Sequence, residues 1–171
     1  MDARIFKNVL YKTVPAGQAK NVPDGKLCAD VYVPAQGDGP FPVVFYWHGG
    51  GWQGGDRSLP PVFQSMAENL HRHGIAFVSF TYRLAGPGEN VTGDVVFPDP
   101  VNDTVDGLRF FLHNAEKYML DPARFAVFGA SAGAHLALMA GLAGPFFGES
   151  EPRTEYKAAC ILDYCGPTDF H

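Results

Sequence analysis

Phe128-Gly129-Ala130-Ser131-Ala132-Gly133 joins an apolar run to a helical one, and its reading decides the fold. Before it, Arg124-Phe125-Ala126-Val127-Phe128 reads as a buried strand. After it, Ala134-His135-Leu136-Ala137-Leu138-Met139-Ala140 reads as a helix of small and apolar residues. A strand that turns straight into a helix bends tightly, and glycines at 129 and 133 let the two elements approach without β-carbons between them. Ser131 then sits at the tip. This is the G-x-S-x-G pattern in the strand-turn-helix context that presents a nucleophilic serine. The helix amino terminus behind it offers unpaired N–H groups and a positive dipole end, which suit a developing oxyanion.

Alone, the pentapeptide is weak evidence, because glycine, serine and alanine are common and an ordinary glycine-rich turn explains it as well. A second motif separates the two readings. Val43-Val44-Phe45-Tyr46-Trp47 is another apolar strand, and it runs into His48-Gly49-Gly50-Gly51-Trp52. Three successive glycines leave the backbone free to aim its amides at a ligand, as an oxyanion hole of the HGGG type requires.

With these motifs the chain resembles the α/β-hydrolase esterases of the hormone-sensitive-lipase-like group. It is similar in flavour to bacterial feruloyl or acetyl esterases and to kynurenine formamidase. The matching pieces are His48-Gly49-Gly50-Gly51-Trp52, Tyr82-Arg83-Leu84, Asp121-Pro122-Ala123-Arg124 and Gly129-Ala130-Ser131-Ala132-Gly133-Ala134-His135-Leu136, which span most of the chain. The resemblance implies Ser131 as nucleophile and the amides of Gly50, Gly51 and Ala132 as oxyanion hole. It implies that His48, Gly49, Trp52, Gly129 and Gly133 shape the site, with His48 bracing the oxyanion loop rather than accepting the proton. Trp52 is expected to pack beside the site rather than to serve as a substrate platform. An acid and a histidine should follow the serine.

Composition excludes several other classes. The 171 residues suffice for one domain, and 46% hydrophobic with 18% charged residues is ordinary for a soluble globular protein. A formal net charge of -5, with no lysine or arginine cluster, argues against a nucleic-acid partner. No apolar run approaches the ~18 residues a membrane span needs, and Met1-Asp2-Ala3-Arg4 leads into no signal-like segment, so a cytoplasmic protein is expected. Cys28, Cys160 and Cys165 have no zinc-like spacing and read as reduced thiols; neither metal nor cofactor is expected.

Taken in order, residues 6–14 and 27–33 suit an antiparallel edge pair, with Leu27, Ala29, Val31 and Val33 on one face. Phe41 to Trp47 suits a central parallel strand covered on both faces. Ser58 to His73 reads as a helix capped by Ser58, with Pro60 and Pro61 in its first turn, Val62, Met66 and Leu70 on its inner face, and His71 and His73 solvated. Ile75 to Thr81 is the next strand. The loop to Pro98 follows the carboxyl end of that strand, with Gly86, Pro87, Gly88 and Gly93 in it, and is expected to shape the pocket. Asp99-Pro100 opens a helix whose Val101, Val105, Leu108 and Leu112 keep a 3.6 period to about Leu120, with Asp103, Asp106 and Glu116 facing solvent and Asp106 near Arg109. Asn90-Val91-Thr92 and Asn102-Asp103-Thr104 read as chance glycosylation patterns. Residues 158–164 read as one more buried strand. Trp47, Trp52 and Phe97 hint at an aromatic-lined site.

This order of elements predicts a three-layer α/β sandwich with a mostly parallel sheet, and the resemblance makes it the first six or so of eight strands of an α/β-hydrolase. A triad needs a base and an orienting acid after the serine. After Ser131 the histidines are His135 and His171 and the acids are Glu149, Glu151, Glu155, Asp163 and Asp169; none suits the role, since His135 belongs to the helix pattern and His171 lies at the chain end. The expectation is the amino-terminal portion, residues 1–171, of a single hydrolase domain whose acid and histidine come from a further carboxy-terminal segment or a second polypeptide. An apolar strand at 158–162 left as a sheet edge favours such a cover. The expected activity is hydrolysis of a small carboxylic ester through an acyl-enzyme. An arylformamidase-like amide hydrolase and a catalytically idle binding module are the alternatives.

Overall fold

The computed structural model describes residues 3–86, 94–151, 153 and 155–169. Six strands form one sheet in the order β1-β2-β4-β3-β5-β6: β1 (Ala3–Thr13), β2 (Lys26–Pro34), β3 (Phe41–Trp47), β4 (Ala76–Phe80), β5 (Leu120–Ala130) and β6 (Cys160–Tyr164). β1 and β2 pair antiparallel, as expected, and β2 runs antiparallel to β4. The remaining pairs, β4 with β3, β3 with β5 and β5 with β6, are parallel. Helices α1 (Pro61–Arg72), α2 (Asp99–His113) and α3 (Ala132–Ala143) supply the crossovers.

The period-2 alternation of β3 explains the three layers. Val43, Phe45 and Trp47 enter the larger core beneath α2 and α3, while Val44 and Tyr46 enter a smaller one beneath α1. A strand covered on both faces is apolar throughout, which is why residues 41–47 show no polar alternation. Phe45 is fully buried, with ring centroids 5.8 Å from Phe125, 6.0 Å from Phe80 and 6.3 Å from Phe111. On the other face Tyr46 lies 5.0 Å from Phe63 and 5.2 Å from Phe128.

From β3 the chain crosses to β4 on one side and then returns to β5 on the other. The strand order therefore reverses beside β3, and a crevice opens at the carboxyl ends of β3 and β5. Both glycine motifs lie there.

Several local expectations are corrected. α1 begins at Pro61, not Ser58: the Ser58 amide donates to the Asp56 carboxylate at 2.7 Å, and the helix has no side-chain cap. Met66 and Leu70 pack inward, yet Val62, in the first turn of the helix, is 67% exposed, and Phe63 packs inward in its place. His71 is not solvated; it is buried, with Nε2 3.2 Å from the Tyr32 carbonyl. α2 stops at His113, where a 3₁₀ turn (Glu116–Tyr118) and Met119 at φ 61° turn the chain into β5, so the helix does not reach Leu120. Val101, Val105, Leu108 and Leu112 are buried as expected. Among the described residues β6 pairs with β5 alone and is largely exposed, so it is a sheet edge rather than a buried strand. Trp47 stacks on Phe80 at 5.0 Å within the core and does not line a site. Pro87, Gly88, Gly93, the Asn90-Val91-Thr92 pattern and His171 lie outside the described residues.

Because Phe45 touches aromatic rings from β4, β5 and α2, truncating it leaves a cavity no neighbour can fill. Phe45→Ala is expected to destabilise the fold by about 3–5 kcal/mol in urea denaturation. A loss under about 1 kcal/mol would show that the ring does not hold the sheet to α2.

Candidate active site

β5 ends at Ala130, α3 begins at Ala132, and Ser131 between them is exposed with φ 53° and ψ −121°. A side chain in that region of backbone space costs about 1–3 kcal/mol, held here by the hydrogen bonds of its own backbone. The Ser131 amide donates to the Tyr164 carbonyl of β6 at 2.8 Å, while its own carbonyl accepts from Ala134 at 2.9 Å and His135 at 3.2 Å. A β-carbon at Gly129 would overlap the Gly133 carbonyl, and one at Gly133 would overlap the Trp47 carbonyl. The glycines thus let β3, β5 and α3 meet at one point.

The loop after β3 closes over that joint. A β-carbon at Gly49 would come within 2.8 Å of the Ala130 carbonyl oxygen and 3.3 Å of the Ser131 β-carbon, so the loop backbone passes beside the serine. Gly50 at φ 120° and Gly51 at φ 60° take left-handed turns, and the Gln53 and Gly54 amides both donate to the Gly50 carbonyl at 3.0 Å. The amides of Gly50, Gly51 and Ala132 meet no acceptor among the described residues. His48 is buried; its Nδ1–H donates to the Gly49 carbonyl at 2.8 Å, leaving Nε2 as the acceptor nitrogen. Its ring stacks on Tyr82 at 4.4 Å, and the Tyr82 hydroxyl donates to the His48 carbonyl at 2.8 Å. Burial pushes its pKa down, so the ring is a neutral strut under the loop.

Against α3, from one turn beyond the serine, and against Gly51 of the glycine loop lies a cavity of about 580 Å³. Trp52 lines it, half-buried and edge-on to His135 at 5.4 Å, together with Val96, Phe97, Val101, Leu136 and Met139. Trp52 is therefore a wall of the site as well as a packing residue. Sequence reasoning assigned His135, Leu136 and Met139 to helix packing only. α3 is apolar all round, so nothing in its pattern tells which side opens on a cavity.

The model of the BD-FAE family matches residues 29–171. The chain belongs to the BD-FAE family. It is 37% identical over 115 residues to the carboxylesterase NlhH of Mycobacterium tuberculosis, a stretch covering 66% of this chain and 33% of that protein. It is 38% identical over 96 residues to the arylacetamide deacetylase of Oryctolagus cuniculus, covering 55% and 22%. Among solved structures, a hyperthermophilic esterase from Pyrobaculum calidifontis superposes with a TM-score of 0.63 at 28% identity, over 86% of this chain and 42% of that one. Thermogutta terrifontis esterase 2 gives 0.72 at 24% identity over 94% and 55%, a likeness of fold. The chain spans a third or less of the length of these two sequence relatives. Its fold is that of the α/β-hydrolases, and the family is one of esterases.

Behind the cavity this BD-FAE chain buries a charge cluster where solvent-facing acids were expected. Asp103 and Asp106 are buried, and Lys12 of β1 reaches both, at 2.9 and 2.7 Å, and Glu149 at 2.7 Å. Arg83 donates three times to Asp103, through its amide at 3.0 Å, Nε at 2.8 Å and Nη2 at 2.7 Å, and once to the Asp99 carbonyl at 3.3 Å. Burial alone would lower the Lys12 pKa, but Asp103, Asp106 and Glu149 outweigh it and raise it. Asp106 does not take Arg109, which donates instead to the Phe147 and Gly144 carbonyls. The second glycosylation pattern is bound into the same region, with Asn102 held by Glu149 and Gly148.

Three of the acids after Ser131 have partners of their own. Glu149 serves Lys12, Asp163 accepts the Gly166 amide at 2.7 Å, and Glu151 lies 3.5 Å from Arg153. His135 stands one turn along the helix from the serine, its ring on the cavity wall. Among the described residues no cluster of His, Cys, Asp and Glu could hold a metal, and no helix is long and apolar enough to cross a membrane.

Two outcomes follow from this geometry. Ser131→Gly removes the strained side chain and is expected to raise stability by about 1 kcal/mol in denaturant unfolding; a destabilised variant would show the conformation to be unstrained. Burial lowers the pKa of His48, His71 and His135. The unfolded chain therefore takes up protons first, so stability present above about pH 6.5 is lost as pH falls through the folded values. Unfolding free energies measured from pH 7.5 to 5 should decline, and His71→Gln should reduce the slope.

Proposed function

We propose that this chain supplies the nucleophile and oxyanion hole of a serine carboxylesterase acting on small esters. The observation that carries the reading is Ser131 at a strained, exposed tip with the glycine loop packed against its β-carbon. The names of the relatives, carboxylesterase and esterase, support the same class.

In this reading Ser131 Oγ attacks the ester carbonyl carbon as its proton passes to a general base. The carbonyl oxygen, now an anion, is held by the amides of Gly50, Gly51 and Ala132, each such donor being worth roughly 3 kcal/mol in the transition state. The tetrahedral intermediate collapses, the C–O bond to the alcohol breaks, and the alcohol leaves with the proton from the base. Water then attacks the acyl-enzyme by the same route and frees the acid and the serine. In this reading base and acid come from a further segment or a second chain, Glu149 being paired with Lys12 and Asp163 with the Gly166 amide.

A second reading, hydrolysis of an aryl amide by the same nucleophile, is favoured by the similarity to arylacetamide deacetylase. Whole-protein assays separate the two. Full-length protein should hydrolyse p-nitrophenyl acetate and take a fluorophosphonate label at Ser131. Ser131→Ala should lose the label and at least about 10³-fold in kcat. Unchanged turnover in that variant would remove the serine mechanism, and faster turnover of p-nitroacetanilide than of the ester would favour the amide reading.

A further inference from the structure

We propose that the bowl between the end of β2 and the end of α1 is a second binding site, and that its ligand is an uncharged polyhydroxyl molecule of monosaccharide size. Its occupancy does not depend on Ser131.

The bowl is remote from the serine. β2 runs antiparallel to β4, and β4 runs parallel to β3, so the carboxyl end of β2 lies at the amino ends of β3 and β4. Ser131 and the glycine loop stand at the opposite end of the sheet, after the carboxyl ends of β5 and β3. Between Pro34 at the end of β2 and the last turns of α1 is a cavity of about 630 Å³, within the range of about 300–1,000 Å³ usual for small-ligand sites. Both of its sides are held. Arg4 donates to the Pro34 carbonyl through Nε at 3.2 Å and Nη2 at 3.1 Å, and to the Gly37 carbonyl through Nη2 at 2.7 Å, which pins the turn after β2. Across the bowl, the His73 amide donates to the Leu70 carbonyl and the Gly74 amide to the His71 carbonyl, both at 3.0 Å, which closes the end of α1.

The floor carries an unmet hydrogen bond. His71 lines the cavity and is 8% exposed. Its Nε2 faces the Tyr32 carbonyl, an acceptor, at 3.2 Å, so Nε2 carries the proton and Nδ1 the lone pair. Burial lowers the pKa of the ring, which is therefore neutral at pH 7. Nδ1 is buried and has no hydrogen-bond partner among the described residues. A buried acceptor left unpaired is costly, and native structures supply it with a donor. A hydroxyl entering the bowl, or a water that it carries in, supplies one here.

The rim decides the class of ligand. Glu68 and Arg72, one turn apart on α1, and Gln36 after β2 line it; apart from the imidazole, no aromatic or branched aliphatic side chain does. Glu68 accepts from Gln64 at 3.4 Å along the helix, and a carboxylate has lone pairs for further donors. An anion meets the like charge of Glu68, a cation meets that of Arg72, and a zwitterion sheds the hydration of two charges at once. An apolar molecule leaves His71 unpaired. Hydroxyl groups fit every position: they donate to Glu68 and Nδ1, and they accept from Arg72 and the Gln36 amide. A small ring bearing several hydroxyls matches a bowl that offers donors and acceptors together.

The test is an amide NMR titration of the full-length protein with D-glucose, D-galactose and D-xylose, each to about 50 mM. At least one sugar should shift the Gln36, Gly37, His71 and Arg72 amides with a Kd of about 1–10 mM, and should do so equally in Ser131→Ala. Arg72→Ala removes an exposed side chain, so it should keep the parent's urea midpoint while weakening that sugar about tenfold, the loss of one hydrogen bond from a charged donor. His71→Phe removes the acceptor and should weaken the sugar as much, whereas Arg153→Ala, outside the cavity, should leave the Kd unchanged. No shifts with any of the sugars, shifts centred on the glycine loop, tighter binding of glycine or acetate than of every sugar, or an Arg72→Ala variant with the parent's Kd each overturn the proposal.

Discussion

Everything in this structure depends on how closely β3, β5 and α3 approach one another at Gly129 and Gly133. Neither position has room for a methyl group: one faces the Gly133 carbonyl, the other the Trp47 carbonyl. That contact fixes the depth at which α3 starts and forces Ser131 into a backbone region that side chains avoid. It also brings the end of β3 beside the end of β5, so the glycine loop after Trp47 lies against the serine. A single steric constraint thereby assembles the candidate nucleophile and the candidate oxyanion amides from segments far apart in the chain.

The aromatic core below supplies the rigidity this joint needs. Phe45 and Tyr46 point to opposite faces of β3 and bind both helical layers to the sheet. Above it, His48 and Tyr82 act as a pair. The tyrosine hydroxyl fixes the His48 carbonyl, the imidazole fixes the Gly49 carbonyl, and the stacked rings are buried together. With its carbonyls pinned from below, the loop can leave its amides turned outward.

The buried cluster of Lys12, Arg83, Asp103, Asp106 and Glu149 ties β1 and the segment after β4 to α2. Such clusters add little net stability over apolar packing, because desolvation offsets much of the attraction. Their geometry is demanding, however. Arg83 grips both the Asp103 carboxylate and the Asp99 carbonyl, so it sets where α2 begins and hence where Pro100 and Val101 meet the cavity. The cluster positions a wall of the candidate site without touching the serine.

The sequence alone determined the elements that rest on local pattern. The all-apolar β3, the elbow glycines, the HGGG loop and the helical period of Val101, Val105, Leu108 and Leu112 each carry their cause within a few residues, so the fold and the candidate nucleophile were legible. What it could not reveal were properties owed to distant partners. Asp103 and Asp106 look like solvent-facing acids until β1 brings Lys12 to them. His71 looks solvated until β2 offers the Tyr32 carbonyl, and Trp47 looks like a site aromatic until Phe80 stacks on it. The cavity walls His135, Leu136 and Met139 sit on a helix that is apolar on every side, so only the packing of α3 against its neighbours decides which side stays open. Burial and cavities are set by contacts between segments remote in sequence, and a local pattern holds no record of them.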